Sequence, residues 1–87
     1  MKYNVGEEAR VRPKEWFENN CKKMEWFYFL EGVGYFLGEM LRFCGETVII
    51  REVVADRYYI DIDSYYWEDW MLEDTVKKNI IKILREE

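Results

Sequence analysis

The sequence predicts a mainly β fold, strands wrapped around one core, with short helical turns and a C-terminal α-helix. Three stretches carry that expectation. Tyr58, Ile60 and Ile62 alternate with Tyr59, Asp61 and Asp63, the period-two pattern of a strand buried on one face. Val48, Ile49, Ile50 and Val53 supply strong β-formers just upstream, with Ala55-Asp56-Arg57 between the two as a hairpin turn. Near the end, Val76, Ile80, Ile83 and Leu84 recur at helical spacing on one stripe.

Earlier elements follow from the same rules. Ala9 and Val11 alternate with Arg10 and Arg12 after a Val5-Gly6 turn, which reads as a short half-buried strand ended by Pro13. Lys14 to Glu18 reads as a helical turn opened by that proline, with Trp16 anchoring it to the core and Asn19-Asn20 as the turn that follows. Met24 to Leu30 is strand-like and aromatic on both faces, so it is either sandwiched or partly exposed. Glu31 to Gly34 reads as a loop, and Phe36, Leu37, Met40 and Leu41 have the spacing of one short helix stopping at Gly45. Tyr65-Tyr66-Trp67 is placed as a further strand, with a tight turn over Glu68 to Met71. Asp74 is the expected cap of the last helix, which should dock on the barrel.

With 87 residues the chain is long enough for one modest core and too short for two, so a single domain over residues 1–87 is expected, barrel about 5–72 and helix about 74–86. A hydrophobic fraction of 49% rules out disorder as the default. The net charge of 13 − 18 = −5 disfavours attraction to nucleic-acid phosphates or anionic lipid, so no direct nucleic acid and no membrane partner are expected; a protein with a basic surface suits it better. No stretch approaches a membrane helix or a secretory signal core, which predicts a cytoplasmic protein with Cys21 and Cys44 as free thiols.

Catalytic chemistry finds little to work with. Histidine is absent, which removes the usual general base and the commonest metal ligand. Ser64, the only serine, sits beside Asp63 in a turn context, where a backbone hydrogen bond is the ordinary role. Asp61-x-Asp63-x-Tyr65 begins like a calcium loop, but Tyr66 stands where glycine is required and Leu72 where the bidentate acid belongs. Asp61 and Asp63 as paired glycosidase acids compete with the simpler reading of a solvated strand face. Gly32-x-Gly34-x-x-x-Gly38 lacks dinucleotide spacing, and the two cysteines lack metal-site partners, so neither a cofactor nor a metal is expected.

The ordered string Val5-Gly6-x-x-Ala9-x-Val11, Glu15-Trp16, Met40-x-x-x-Cys44-Gly45-x-x-Val48-x-Ile50, Tyr58-x-Ile60 and Trp67-x-x-x-Met71 resembles small Src-homology-3-like barrel proteins of phages, prophages and Bacteroidetes. The match spans residues 5–72 and leaves the last helix outside. The resemblance implies a small SH3-like β-barrel, and it carries no catalytic residues with it. The chain departs from that pattern at Ala9, where a larger aliphatic residue is usual, and in the aromatic segment from Met24 to Tyr35.

A barrel of this size cannot bury every aromatic, and exposed Tyr and Trp are typical interface anchors. The expected binding face therefore comprises Tyr59, Asp61, Asp63, Tyr65, Tyr66, Glu68 and Asp69, with Trp26 and Tyr28 from the aromatic segment. Two functions fit. The first is a non-enzymatic interaction module, an accessory protein of a phage or mobile element that docks on a basic host or phage protein; in its sharpest form it is an anti-defence inhibitor that mimics nucleic-acid charge. The alternative is capture of a small nucleotide-like ligand between stacked aromatics, in a monomer or a weak homodimer formed by the last helix.

Overall fold

The computed structural model describes residues 2–61 and 65–86. Among the described residues eight strands run in the order β1 (Glu8–Val11), β2 (Lys22–Lys23), β3 (Phe27–Leu30), β4 (Gly34–Leu37), β5 (Thr47–Val54), β6 (Arg57–Ile60), β7 (Tyr66–Trp67) and β8 (Leu72–Glu73). Helix α1 (Lys14–Asn20) follows β1, and helix α2 (Val76–Glu86) follows β8. Two 3-10 segments, Gly38–Phe43 and Asp69–Met71, precede β5 and β8. Antiparallel ladders join β7-β6-β5-β1-β8 into one sheet and β2-β3-β4 into another. The β-rich class with antiparallel sheets and a C-terminal helix is therefore present. Among the described residues the larger sheet runs open from β7 to β8, without a closing ladder.

The hairpin of β5 and β6 forms where the alternation places it. Val48, Ile50, Tyr58 and Ile60 are buried while Tyr59 and Asp61 face outward. A register shift between Ile50 and Glu52 inserts an extra residue, which bends β5 and increases its twist. The turn is two residues long, and Ala55 takes a positive φ of 54° there. Ile62 and Asp63, the rest of the expected alternation, lie outside the described residues, as does Ser64.

Between β1 and β5 the structure differs from the sequence expectation. Phe36 and Leu37 belong to strand β4, and only Met40 and Leu41 lie in a helical segment, which is 3-10. The cause is pairing: Tyr28 sits opposite Phe36 and Phe27 opposite Leu37, so β3 recruits these residues into a hairpin. Asn19 and Asn20 close α1 rather than forming a separate turn, and its fully buried residue is Phe17, with Trp16 half-buried beside it. Phe17 stacks on Phe36 at 3.9 Å, and Phe36 meets Trp67 edge-on at 5.8 Å. These three rings fasten the small sheet to the large one through a common core.

The last helix also departs from expectation, twice. Its cap is Thr75, whose hydroxyl accepts the Lys78 backbone N–H at 3.2 Å. Asp74, one residue earlier, instead accepts a hydrogen bond from the Tyr3 hydroxyl at 3.0 Å. Moreover, α2 does not lay its aliphatic stripe on the body. Val76, Ile80, Ile81, Ile83 and Leu84 are 40–66% exposed. Lys78, on the far side of the helix from that stripe, is tied to the body through Glu7 at 3.3 Å and Asp74 at 3.9 Å.

Candidate functional site

A cleft of about 530 Å³ opens between the small sheet and the β6–β7 end of the large one. Phe27, Tyr35 and Leu37 line one wall, and the ladder explains why. In the β3–β4 hairpin, Phe27 faces Leu37 and Phe29 faces Tyr35, so these residues share the outer face while Tyr28 and Phe36 share the inner one. Trp26, just before β3, completes this wall, its ring 4.6 Å from that of Phe27. Its backbone carbonyl accepts the Gly38 N–H at 2.9 Å, and a Cβ on Gly38 would stand 3.0 Å from the same oxygen. A side chain at Gly38 would push that carbonyl back by a few tenths of an ångström.

Tyr59, Tyr65 and Tyr66 form the opposite wall, Tyr59 and Tyr66 being direct partners across the β6–β7 ladder. Met40 and Met71, from the two 3-10 segments, lie buried below as a thioether floor. Three large rings stand open at the mouth: Trp26, Tyr35 and Tyr66. A second hollow of about 630 Å³ shares Phe27 and Tyr35 and adds Asn20, Lys22 and Glu31.

Charges ring the first cleft unevenly. The Tyr65 hydroxyl donates to the Glu39 carboxylate, and Glu52 stands opposite Tyr59 in the ladder. Glu68 lies against Gly34, where a Cβ would be 3.2 Å from its Oε1. Trp70 is beside it, its Nε1 buried with no hydrogen-bond partner among the described residues. Against these acids stands the Arg57 guanidinium, stacked 4.1 Å over the Tyr66 ring.

Four of the nine expected site residues meet in this cleft: Trp26, Tyr59, Tyr65 and Tyr66. Tyr28 does not. It is 3% exposed and faces Phe17 in the core, because strand alternation pairs it with Phe36 on the inner face. Asp61 is exposed, yet its carboxylate accepts the Ile49 backbone N–H at 3.0 Å and so terminates the ladder. Asp69 is engaged as well, accepting hydrogen bonds from the Tyr58 hydroxyl and, at 3.4 Å, from the Lys2 backbone. Glu68 lies against Gly34 and does not line the cleft, and Asp63 lies outside the described residues. The residues that sequence reasoning leaves out are Phe27, Tyr35, Leu37, Met40 and Met71, and the first three converge only through the β3–β4 hairpin.

Comparison with protein-family models, curated proteins and solved structures finds no match to this chain. Function must therefore be argued from the cleft itself. Its polar lining consists of tyrosine hydroxyls and one indole N–H, groups that stack and donate hydrogen bonds. Among the described residues no three Cys, Asp or Glu side chains gather as metal ligands would. Both thiols are free, and both are shifted against reactivity: burial raises Cys21, and burial with the nearby charge of Glu15 pushes Cys44 up to about 11.

Proposed function

We infer that the chain is a non-catalytic binding module whose aromatic cleft receives an apolar segment of another protein flanked by Lys or Arg. The observation that carries this reading is the open aromatic wall of Trp26, Tyr35 and Tyr66 above a floor of Met40 and Met71. Tyr, Trp and Met are the residues enriched at interface cores, and a fully solvated ring gains most from being covered. Glu39 and Glu52 supply the sign of the preferred partner. An accessory role in a phage or mobile element, with inhibition of a nucleic-acid-binding host protein as its sharpest form, is the setting that fits such a module.

The finer fold reading belongs with this one: an SH3-like barrel. Supporting it are the strand order β8-β1-β5-β6-β7, the bulge that bends β5, and the 3-10 turn just ahead of β8. In that arrangement the α1-to-β4 segment is a long insertion between the first two barrel strands, and one wall of the cleft comes from it.

The test is a titration of the ¹⁵N-labelled chain with a panel of apolar peptides, each made with flanking Lys and with flanking Glu. Shifts confined to the indole of Trp26 and to residues 35, 59 and 66, with the Lys series tighter, support the reading; equal response to both series removes the electrostatic half of it. Trp26→Ala should abolish the response while leaving the fold intact, since its ring is 66% exposed.

A second reading, a small planar ligand, is favoured by one observation. The cleft volume of about 530 Å³ lies within the roughly 300–1,000 Å³ of small-molecule sites. Arg57 over Tyr66 would extend a stack onto such a ring system. A thermal-shift screen with nucleotides separates the two, because a ligand at a hundred times its dissociation constant adds about 2.7 kcal/mol of stability.

A further inference from the structure

Among the described residues two apolar surfaces stand open to solvent, and their chemistries match. The first is the aliphatic stripe of α2. Val76, Ile80 and Ile83 stand at i, i+4 and i+7 with Leu84 beside them, the spacing by which an amphipathic helix anchors in a groove. The second is the acid-rimmed aromatic cleft. Charge divides along the same line: residues 76–87 carry four Lys or Arg and two Glu, a net +2, which leaves −7 of the total −5 on residues 1–75.

An isolated helix of this length is marginal in water, and α2 buries none of its aliphatic residues against its own body. It needs cover from elsewhere. Pairing α2 with α2 of another copy would cover the stripe but leave the aromatic cleft of each copy open. The chain's own cleft is no easier to reach. The root of α2 is pinned by the Thr75 cap, by Tyr3 on Asp74 and by Lys78 on Glu7, and those bonds aim the stripe outward.

We propose that α2 of one copy lies in the aromatic cleft of a second copy, and reciprocally, so that the chain forms a twofold-symmetric dimer through two equivalent helix-in-cleft contacts. The inference rests on the binding role of the cleft and names its occupant. Only residues 72–75 separate Met71, in the cleft floor, from Val76, so each copy carries both halves of a contact that a twofold axis would use twice. Lys77, on the stripe edge beside Leu84, then meets a rim that includes Glu39 and Glu52. Stable interfaces take about 800 Å² from each partner, and reciprocity lets each copy contribute a helix and a cleft towards that area.

Sedimentation equilibrium of the full chain from about 10 µM to about 1 mM should show mass rising from 10.8 kDa towards twice that value. Ile80→Asp with Ile83→Asp on the exposed stripe, and separately Trp26→Ala with Tyr66→Ala, should each weaken self-association at least about tenfold while the amide spectrum of the body stays folded. An equimolar mixture of those two variants keeps one intact helix-in-cleft contact and should form a heterodimer that neither variant forms alone. Helix-on-helix pairing would leave the cleft variant dimeric and the mixture unrescued, and either result overturns the proposal. So does a wild-type chain that stays monomeric at about 1 mM, or a monomer that instead co-sediments with phosphatidylserine vesicles. A monomer whose Trp26 still responds to a Lys-flanked apolar peptide overturns the dimer and leaves the binding role of the cleft standing.

Discussion

Phe17 lies flat against Phe36, centroids 3.9 Å apart and planes 12° from parallel, and this stack is where helix α1 meets the β3–β4 hairpin. Both rings are fully buried, and Phe36 reaches on to Trp67 in the larger sheet. Phe36→Ala therefore removes the shared packing element of both sheets and should cost about 3–5 kcal/mol, as buried aromatic truncations do. In a domain with about 5–15 kcal/mol in total, that is enough to leave it largely unfolded under mild denaturant. Urea titration followed by tryptophan fluorescence measures it, and a loss below about 1 kcal/mol would show that the small sheet is not fastened through this ring.

Ala55 holds a positive φ in the two-residue turn of the β5–β6 hairpin, a conformation that costs an L-residue about 1–2 kcal/mol relative to glycine. Glycine also has more freedom to lose on folding, about 0.4–1 kcal/mol. Strain relief exceeds that loss, so Ala55→Gly should raise the melting temperature by a few degrees, and Ala55→Val should lower it. Calorimetry on the three proteins gives the order directly.

Acid should loosen the root of α2 before it unfolds the sheets. Glu7 is held below its ordinary 4.5 by the Asn4 backbone N–H and by Lys78. For Asp74, desolvation pulls upward but is outweighed by the Tyr3 hydrogen bond and the charges of Lys2 and Lys78, and the net shift is below 3.8. A carboxyl with a depressed folded value contributes its stability above the unfolded value and loses it as pH falls through the folded one. Amide exchange at Lys78 should therefore accelerate below about pH 4 ahead of exchange in β5 and β6. Simultaneous loss of both would show that these pairs do not hold the helix root.

Cys44 should be slow to alkylate in the folded protein. With its thiol pushed up to about 11 from an ordinary 9.0, the thiolate fraction at pH 8 falls about a hundredfold. Greater intrinsic nucleophilicity recovers part of that, leaving a rate about tenfold below a free cysteine before access is considered. Peptide mapping after timed iodoacetamide labelling should show Cys44 lagging in native buffer and matching Cys21 in denaturant.

How much of this was legible depends on which residues are asked. Tyr58 and Ile60 declare their buried face because polar residues alternate with them, and the hairpin of β5 and β6 follows. The segment from Trp26 to Leu41 gives no such contrast, because Glu31 and Glu39 are its only charged residues and neither alternates with apolar ones. Phe36, Leu37, Met40 and Leu41 fit a helix by spacing, and only pairing with β3 decides for strand. That same pairing sends Tyr28 inward and Phe27 and Tyr35 outward, so the cleft could be anticipated in composition but not in membership. Thr75 and Asp74 are both good capping residues; the Tyr3 hydroxyl takes Asp74 and leaves the cap to its neighbour. The stripe of α2 is plain in the sequence, but that it faces away from the body depends on Lys78 finding Glu7, seventy-one positions earlier.

The cleft joins materials of unequal stiffness. Its walls are rings set on hydrogen-bonded ladders, and the spacing between Tyr59 and Tyr66 on one side and Phe27 and Leu37 on the other is held by the buried Phe36–Trp67 contact that joins β4 to β7. Its floor is two methionines, Met40 and Met71, whose unbranched thioether chains can change shape without disturbing the backbone. Width is thus rigid and depth is compliant. Such a groove discriminates by the thickness of what enters and tolerates variation in how far an inserted side chain reaches. Oxidation of either sulfur would harden and polarise the floor, turning a forgiving groove into a shallow one.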